Sequence, residues 1–205
     1  MSSKRRSGSE TRNDILDAGW DLVSQRGAEA SISQIAAAAG VSRQAIYLHF
    51  GTRGGLLIAL VRRADELYAI REAFQDAQGR SDPIERLDAA IRAWLEFVPR
   101  ILPVARDLIR LKSTDDDARA AWEDRMAELK SWMETLTLSL GEDDALAEGW
   151  SAKQASEFLW AHLSVQKWIL LVEECGWPPE AAADRLRRTA ISLLIKPARL
   201  DVPRP

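Results

Sequence analysis

Residues 31–57 read SISQIAAAAGVSRQAIYLHFGTRGGLL, and the fold of the chain turns on them. Ser31 with Gln34 has the S-x-x-Q form of a capping box, in which side chain and backbone satisfy each other's free N–H groups at a helix start. Ile32, Ile35, Ala36 and Ala39 then recur at helical spacing on one face. Gly40 suits the left-handed conformation that ends a helix, and Ser42 suits the cap of the next. Two short helices joined by a glycine-containing turn form a helix-turn-helix, a shape that offers its second helix to the major groove of DNA.

The second helix divides into faces. Ile46 and Phe50 lie one turn apart and should pack inward. At about 100° per residue, Gln44 and Leu48 then point most directly outward, with Tyr47 and Ala45 on the flanks. Arg43 and His49 stand nearer the packed face but can reach sideways. A Gln amide can pair bidentately with adenine, and Leu48 or Ala45 can meet a thymine methyl. Tyr47, His49, Thr52 and Arg53 are placed to donate to phosphates, the last two at a helix start whose N–H groups also favour an anion. The candidate DNA contacts are Ser42, Arg43, Gln44, Ala45, Tyr47, Leu48, His49, Thr52 and Arg53. Periodicity alone fits a structural helical hairpin with ordinary solvated residues equally well.

The run TRNDILDAGWDLVSQRGAEASISQIAAAAGVSRQAIYLHFGTRGGLL, with Arg12, Ile15, Leu16 and Ala18 in its first helix, Gly27 after it and the aromatic ending Tyr47–Phe50, resembles the DNA-binding domain of the tetracycline-repressor (TetR) family. The resemblance covers roughly the first 60 residues; beyond them only the helical plan and the length agree. It implies an all-α fold in which an N-terminal three-helix DNA-binding domain (1–54, including a basic tail) is joined by a long helix to a helical ligand-binding and dimerisation domain (55–205). Arg53 stands where the family commonly has Lys, changing a point charge to a fork. Gly54-Gly55 replaces a more helix-forming pair, which predicts a looser start to the long helix.

Composition agrees with that plan. In 205 residues, 46% are apolar and 29% charged, and strand signals are scarce, so a globular all-α chain of about nine helices is expected. The net charge of −3 is unevenly spread: residues 1–63 hold nine Lys/Arg against five Asp/Glu, and the remainder 19 against 26. A basic head on an acidic body suits a protein that meets phosphates at one end. The single cysteine, Cys175, excludes an internal disulfide and fits a reducing, cytoplasmic setting. No apolar run is long enough to span a bilayer, and MSSKRRSGSE lacks the apolar stretch of a secretory signal, so no membrane association is expected.

Along the chain, Ser2–Ser9 reads as a tail whose basic residues could lie along a minor groove. Helix 1 should run to Gln25 with Ile15, Ala18, Leu22 and Val23 inward, Trp20 against a later long helix, and Gly27 at its end. A long helix follows from Gly55 to about Gln78. Asp82-Pro83 starts the next, to about Arg100, and Pro99 and Pro103 bound a kinked segment before a short helix. Another helix spans about Asp117 to Leu140, and Gly141–Gly149 reads as an acidic loop, the least ordered part of the body. Ser151 with Gln154 repeats the capping box and opens a helix to Cys175 that is apolar almost all round. The last helix covers about Glu180–Ile195. In the resembled family the last two long helices dimerise, and the excess apolar surface of the first of them here predicts a homodimer through the pair, against the alternative that both only fill the monomer's core.

Seven of the eight tryptophans lie outside the first domain. The family resemblance implies a small-molecule pocket in the body, with Trp94, Phe97, Trp122, Met126 and Trp160 as candidate lining and His162 as a polar anchor; each also fits a plain core role. An apolar or aromatic effector follows from that composition. Motifs for metal, phosphate-loop or nucleophile-elbow catalysis are absent, so no enzyme activity, cofactor or metal is expected. The expected function is a ligand-responsive, homodimeric transcriptional repressor on a near-palindromic double-stranded operator. The alternative is a helical scaffold or small-molecule binder without specific DNA contact.

Overall fold

A computed structural model describes residues 7–26 and 30–197. Among them are ten α-helices and one π-helical segment, with an isolated antiparallel bridge, Leu146 to Ile195, as the only β pairing. The helices are α1 (Gly8–Arg26), α2 (Ile32–Ala39), α3 (Arg43–Phe50), α4 (Arg53–Leu67), α5 (Ile70–Gln78), α6 (Pro83–Leu111), α7 (Asp116–Glu142), α8 (Ala152–His162), α9 (Val165–Ile169) and α10 (Pro179–Leu194), with the π segment at Leu170–Glu174. Two compact units result. One comprises the described residues up to Tyr68 with Ile101–Arg125; the other comprises Ala69–Arg100 with the described residues from Met126 onward.

In the first unit, α1, α2, α3 and α4 close on a core of Ile15, Leu16, Trp20, Val23, Ile35, Ile46, Leu56, Leu57 and Leu60. The sequence placed Ala18 and Leu22 inward, but both are half-buried, and Leu16 and Trp20 take the core positions instead. Trp20 meets Tyr68, just beyond α4, edge to face at 6.5 Å. Gly27 and the basic tail up to Arg6 lie outside the described residues.

Three helix boundaries and one loop differ from the sequence expectation, each for a physical reason. The long helix expected over 55–78 is two helices, because Ala69 turns left-handed (φ 49°, ψ 37°) between α4 and α5. No glycine or proline announces that break, and a non-glycine residue there costs about 1–2 kcal/mol. Conversely, α6 runs unbroken through Pro99 and Pro103. Both prolines are exposed, on the outer side of the helix, where their rings meet no packed neighbour.

The expected helix from Ser151 to Cys175 stops at His162. The Trp94 indole N–H donates to the Leu163 carbonyl at 2.7 Å, while Ser164 caps α9 by accepting the Lys167 N–H. The carbonyl and the amide that would have bonded across a continuous helix are both used elsewhere. The acidic loop is also tied down. Ala147 N–H donates to Leu194 O at 2.8 Å, Lys196 N–H donates to Ala145 O at 3.0 Å, and Arg86 pairs with Asp143 at 2.7 Å.

Candidate nucleic-acid interface

The helix-turn-helix is built by the caps its sequence carries. Ser31 N–H donates to Gln34 Oε1 at 2.8 Å and Gln34 N–H donates back to Ser31 Oγ at 3.3 Å, a complete capping box. Gly40 is left-handed (φ 64°) and ends α2, and Ser42 Oγ accepts the Ala45 N–H at 3.1 Å to begin α3. Thr52 Oγ1 does the same for α4, accepting the Gly55 N–H at 2.9 Å. Each capping hydroxyl keeps its own hydrogen free to donate outward.

On α3, Ile46 is fully buried and Leu48 is 83% exposed, with Tyr47 at 43%. Arg43 and Gln44 are exposed, Ala45 and His49 half-buried. Phe50 is half-buried with the Arg12 guanidinium 5.2 Å above its ring, which fixes the end of the helix against α1. Gln44, Tyr47 and Leu48 therefore share one solvent-facing surface, with Ser42 and Arg43 at its leading end and Thr52 beyond its trailing end.

Arg53 sits differently from a free phosphate clamp. Its Nη1 donates to both oxygens of Asp115, at 2.9 and 3.2 Å, and lies 3.6 Å from Asp117. Asp115 is itself the cap of α7, accepting the Ala118 N–H at 3.0 Å. That backbone bond, with the Arg53 charge beside it, holds the Asp115 carboxyl below its ordinary range. The two glycines after Arg53 have a packing reason. A Cβ on Gly54 would overlap the Asp117 carboxylate, and one on Gly55 would overlap the Phe50 carbonyl. Small residues let α4 begin tightly against both, which replaces the expected looseness. Sequence spacing could not show this pairing, since Arg53 and Asp115 are 62 residues apart.

In the second unit a cleft of about 240 Å³ is lined by Arg71, Phe74, Gln75 and Gln78 of α5, Ala90 of α6, and Trp132, Thr135 and Leu136 of α7. Phe74 and Trp132 lie 4.6 Å apart, and Arg71 pairs with Glu128 while standing 6.0 Å over the Trp132 ring. None of the six residues named from the sequence lines this cleft. Trp122 belongs to the first unit, buried under Lys112 at 5.5 Å. Trp94 and Phe97 are buried 5.8 Å apart, and Trp160 is exposed with its indole N–H donating to Met126 O at 3.3 Å. His162 is buried against Phe158, between the Leu186 carbonyl and Lys167. The Phe74 and Trp132 pair was missed because the two aromatics belong to separate helices.

Comparison with known proteins places this geometry. Residues 15–60 match the model of the bacterial regulatory proteins, tetR family. The chain is 28% identical to the HTH-type transcriptional repressor BepR of Brucella suis biovar 1 (strain 1330), over 93% of this chain and 95% of that protein. A TetR-family transcriptional regulator from Rhodococcus sp. shares its fold with a TM-score of 0.75 at 21% identity, covering 92% of this chain and 100% of that one. So does SmeT in its triclosan complex, with a TM-score of 0.71 at 18% identity, covering 95% and 99%. The family segment coincides with the helices that carry the exposed face of α3, so residues 15–60 match the DNA-binding domain of the tetR family and the rest of the chain shares the fold of its regulators.

Proposed function

We propose that this protein is a homodimeric transcriptional repressor that leaves a near-palindromic DNA operator when it binds a small apolar or aromatic molecule. The observation that carries the reading is α3 itself: Ile46 wholly inside, Leu48 83% exposed, and Gln44 and Tyr47 beside it. A leucine this exposed gains nothing in water, whereas a thymine methyl would cover it. Gln44, Leu48 and Ala45 read bases, and Ser42, Arg43, Tyr47, His49, Thr52 and Arg53 hold the backbone. BepR, the similar curated protein, is a repressor, which favours repression over activation.

The functional division is a DNA-binding head over 1–54 and a regulatory body over 55–205. Within the body, Trp160, Leu170, Trp177 and Leu193 are exposed, all on or beside α8, the π segment and α10. Covering them in a second copy explains apolar residues that a lone chain leaves in water. The effector enters the cleft walled by Phe74 and Trp132, with Trp94, Phe97, Met126, Trp160 and His162 packing the surrounding unit. A protein of this fold, SmeT, holds triclosan. Such a ligand acts by favouring one head separation over another.

Selection of bound sequences from random DNA tests the reading directly. A consensus with two-fold symmetry is expected, weakened when an aromatic compound that quenches tryptophan fluorescence is added. No enrichment at all would favour a helical scaffold instead.

A further inference from the structure

The N-terminus of α4 is the part of the DNA-facing surface that already holds an anion. Arg53 offers one guanidinium nitrogen to both oxygens of Asp115, and Asp117 stands 3.6 Å from the same nitrogen. Asp117 also occupies the space above Gly54, in the first turn of α4, that a side chain would fill. A helix N-terminus with free N–H groups and an arginine fork is the chemistry that binds a phosphate. Here two carboxylates from the start of α7 take that place. The third acid of the run, Asp116, does not share it: it pairs with Arg119 at 2.7 Å and its side chain is 88% exposed.

We propose that Asp115 and Asp117 are a built-in phosphate mimic that competes with the operator backbone for Arg53, so that DNA binding must displace them and the start of α7 sets how readily Arg53 is released. This rests on α3 and the start of α4 being the DNA face. Two features suit a competitor rather than a permanent lock. The Arg53 and Asp115 side chains are 31% and 28% exposed, so the pair is partly solvated and weak enough to exchange. Asp115 is also anchored through its cap bond to Ala118, so any shift in α7 moves its carboxylate relative to Arg53. A ligand that moves α7 would thereby tune phosphate affinity without touching the base-reading residues.

The test compares nonspecific duplex DNA binding by the wild-type protein, D115N/D117N, D116N, and R53Q with and without D115N/D117N, across a salt series. Asparagine still caps a helix, so α7 keeps its start. D115N/D117N is expected to bind roughly three- to tenfold tighter, with a salt slope steeper by about one counterion per head. D116N should show neither change, and the gain should vanish in the R53Q background. An equal gain from D116N, or one that survives R53Q, would mean a general charge effect and overturn the proposal. Unchanged or weaker binding by D115N/D117N overturns it too, showing that the acids orient Arg53 for phosphate instead. Failure of the wild-type protein to bind any duplex overturns the DNA-binding reading itself and the mimic with it.

Discussion

Arg125 on α7 and Asp65 on α4 meet at 2.8 Å with side chains 12% and 4% exposed, the most buried ion pair between these two helices. The approach is that of charge against charge rather than of an aligned hydrogen bond. Arg62 and Asp124 pair beside it, at 3.1 Å from Nε, so α4 and the start of α7 are joined by acid–base contacts at successive levels. Removing one member of a buried pair strands the other charge away from water. Asp65→Asn should cost about 3 kcal/mol, read from urea unfolding, because the Arg125 charge loses its nearer and more buried carboxylate. Replacing both with apolar residues of similar size should recover most of the loss. A cost below about 1 kcal/mol for the single change would show that Asp124, 3.7 Å from Arg125, suffices.

Gly54 and Gly55 should respond in opposite ways to alanine. At Gly54 the new methyl meets only the Asp117 side chain, most closely at its carboxylate, which can rotate away. The helix propensity gained, about 1 kcal/mol, then offsets the disturbance. At Gly55 it meets the Phe50 carbonyl, part of the backbone that links α3 to α4. Overpacking against backbone should destabilise by about 1–3 kcal/mol and blunt DNA binding as α3 shifts. Thermal unfolding of the two variants side by side checks this, and equal melting temperatures would contradict it.

His162 makes stability depend on pH. Its Nε2 is 2.9 Å from the Leu186 carbonyl, which only accepts, so Nε2 carries the proton. Its Nδ1 accepts from the Lys167 ammonium at 2.8 Å, which leaves the ring neutral. Burial is the main cause of a pKa held below the ordinary 6.5, and the Lys167 charge adds to it, against the Leu186 bond that raises it. The unfolded chain therefore takes up this proton at higher pH than the folded one. The contribution is full above about pH 7 and falls as pH drops through 6.5 toward the depressed folded value. Urea midpoints at pH 7.5 and 5.5 should differ in the wild-type protein, and less in His162→Gln, whose amide can serve both partners. Equal differences would sink the assignment.

Base reading and backbone holding separate on α3. Gln44→Ala should relax preference at one operator position by about 1–3 kcal/mol. Tyr47→Phe should weaken binding to every sequence alike, by loss of one phosphate donor. Repeating the DNA selection with each variant distinguishes them, and an unchanged consensus for Gln44→Ala would mean that α3 lies differently in the groove.

Local chemistry by itself determined the helix-turn-helix. The Ser31 and Ser42 caps and the left-handed Gly40 act within four residues, so their signals survive in a linear reading, as does that of the Ser151 cap in the body. The burial of Ile46 opposite Leu48 likewise follows from helical periodicity. What the tertiary structure decided are features whose partners lie far along the chain. The helix after Ser151 stops because Trp94, 69 residues away, takes the Leu163 carbonyl. α6 continues past two prolines, both of which the fold places on an exposed side of the helix. Arg53 looks like a free phosphate clamp in the sequence and is a paired one in the fold, because Asp115 reaches it from 62 residues away. Caps and periodicity are properties of neighbours; charge pairing and cleft lining depend on which helices meet.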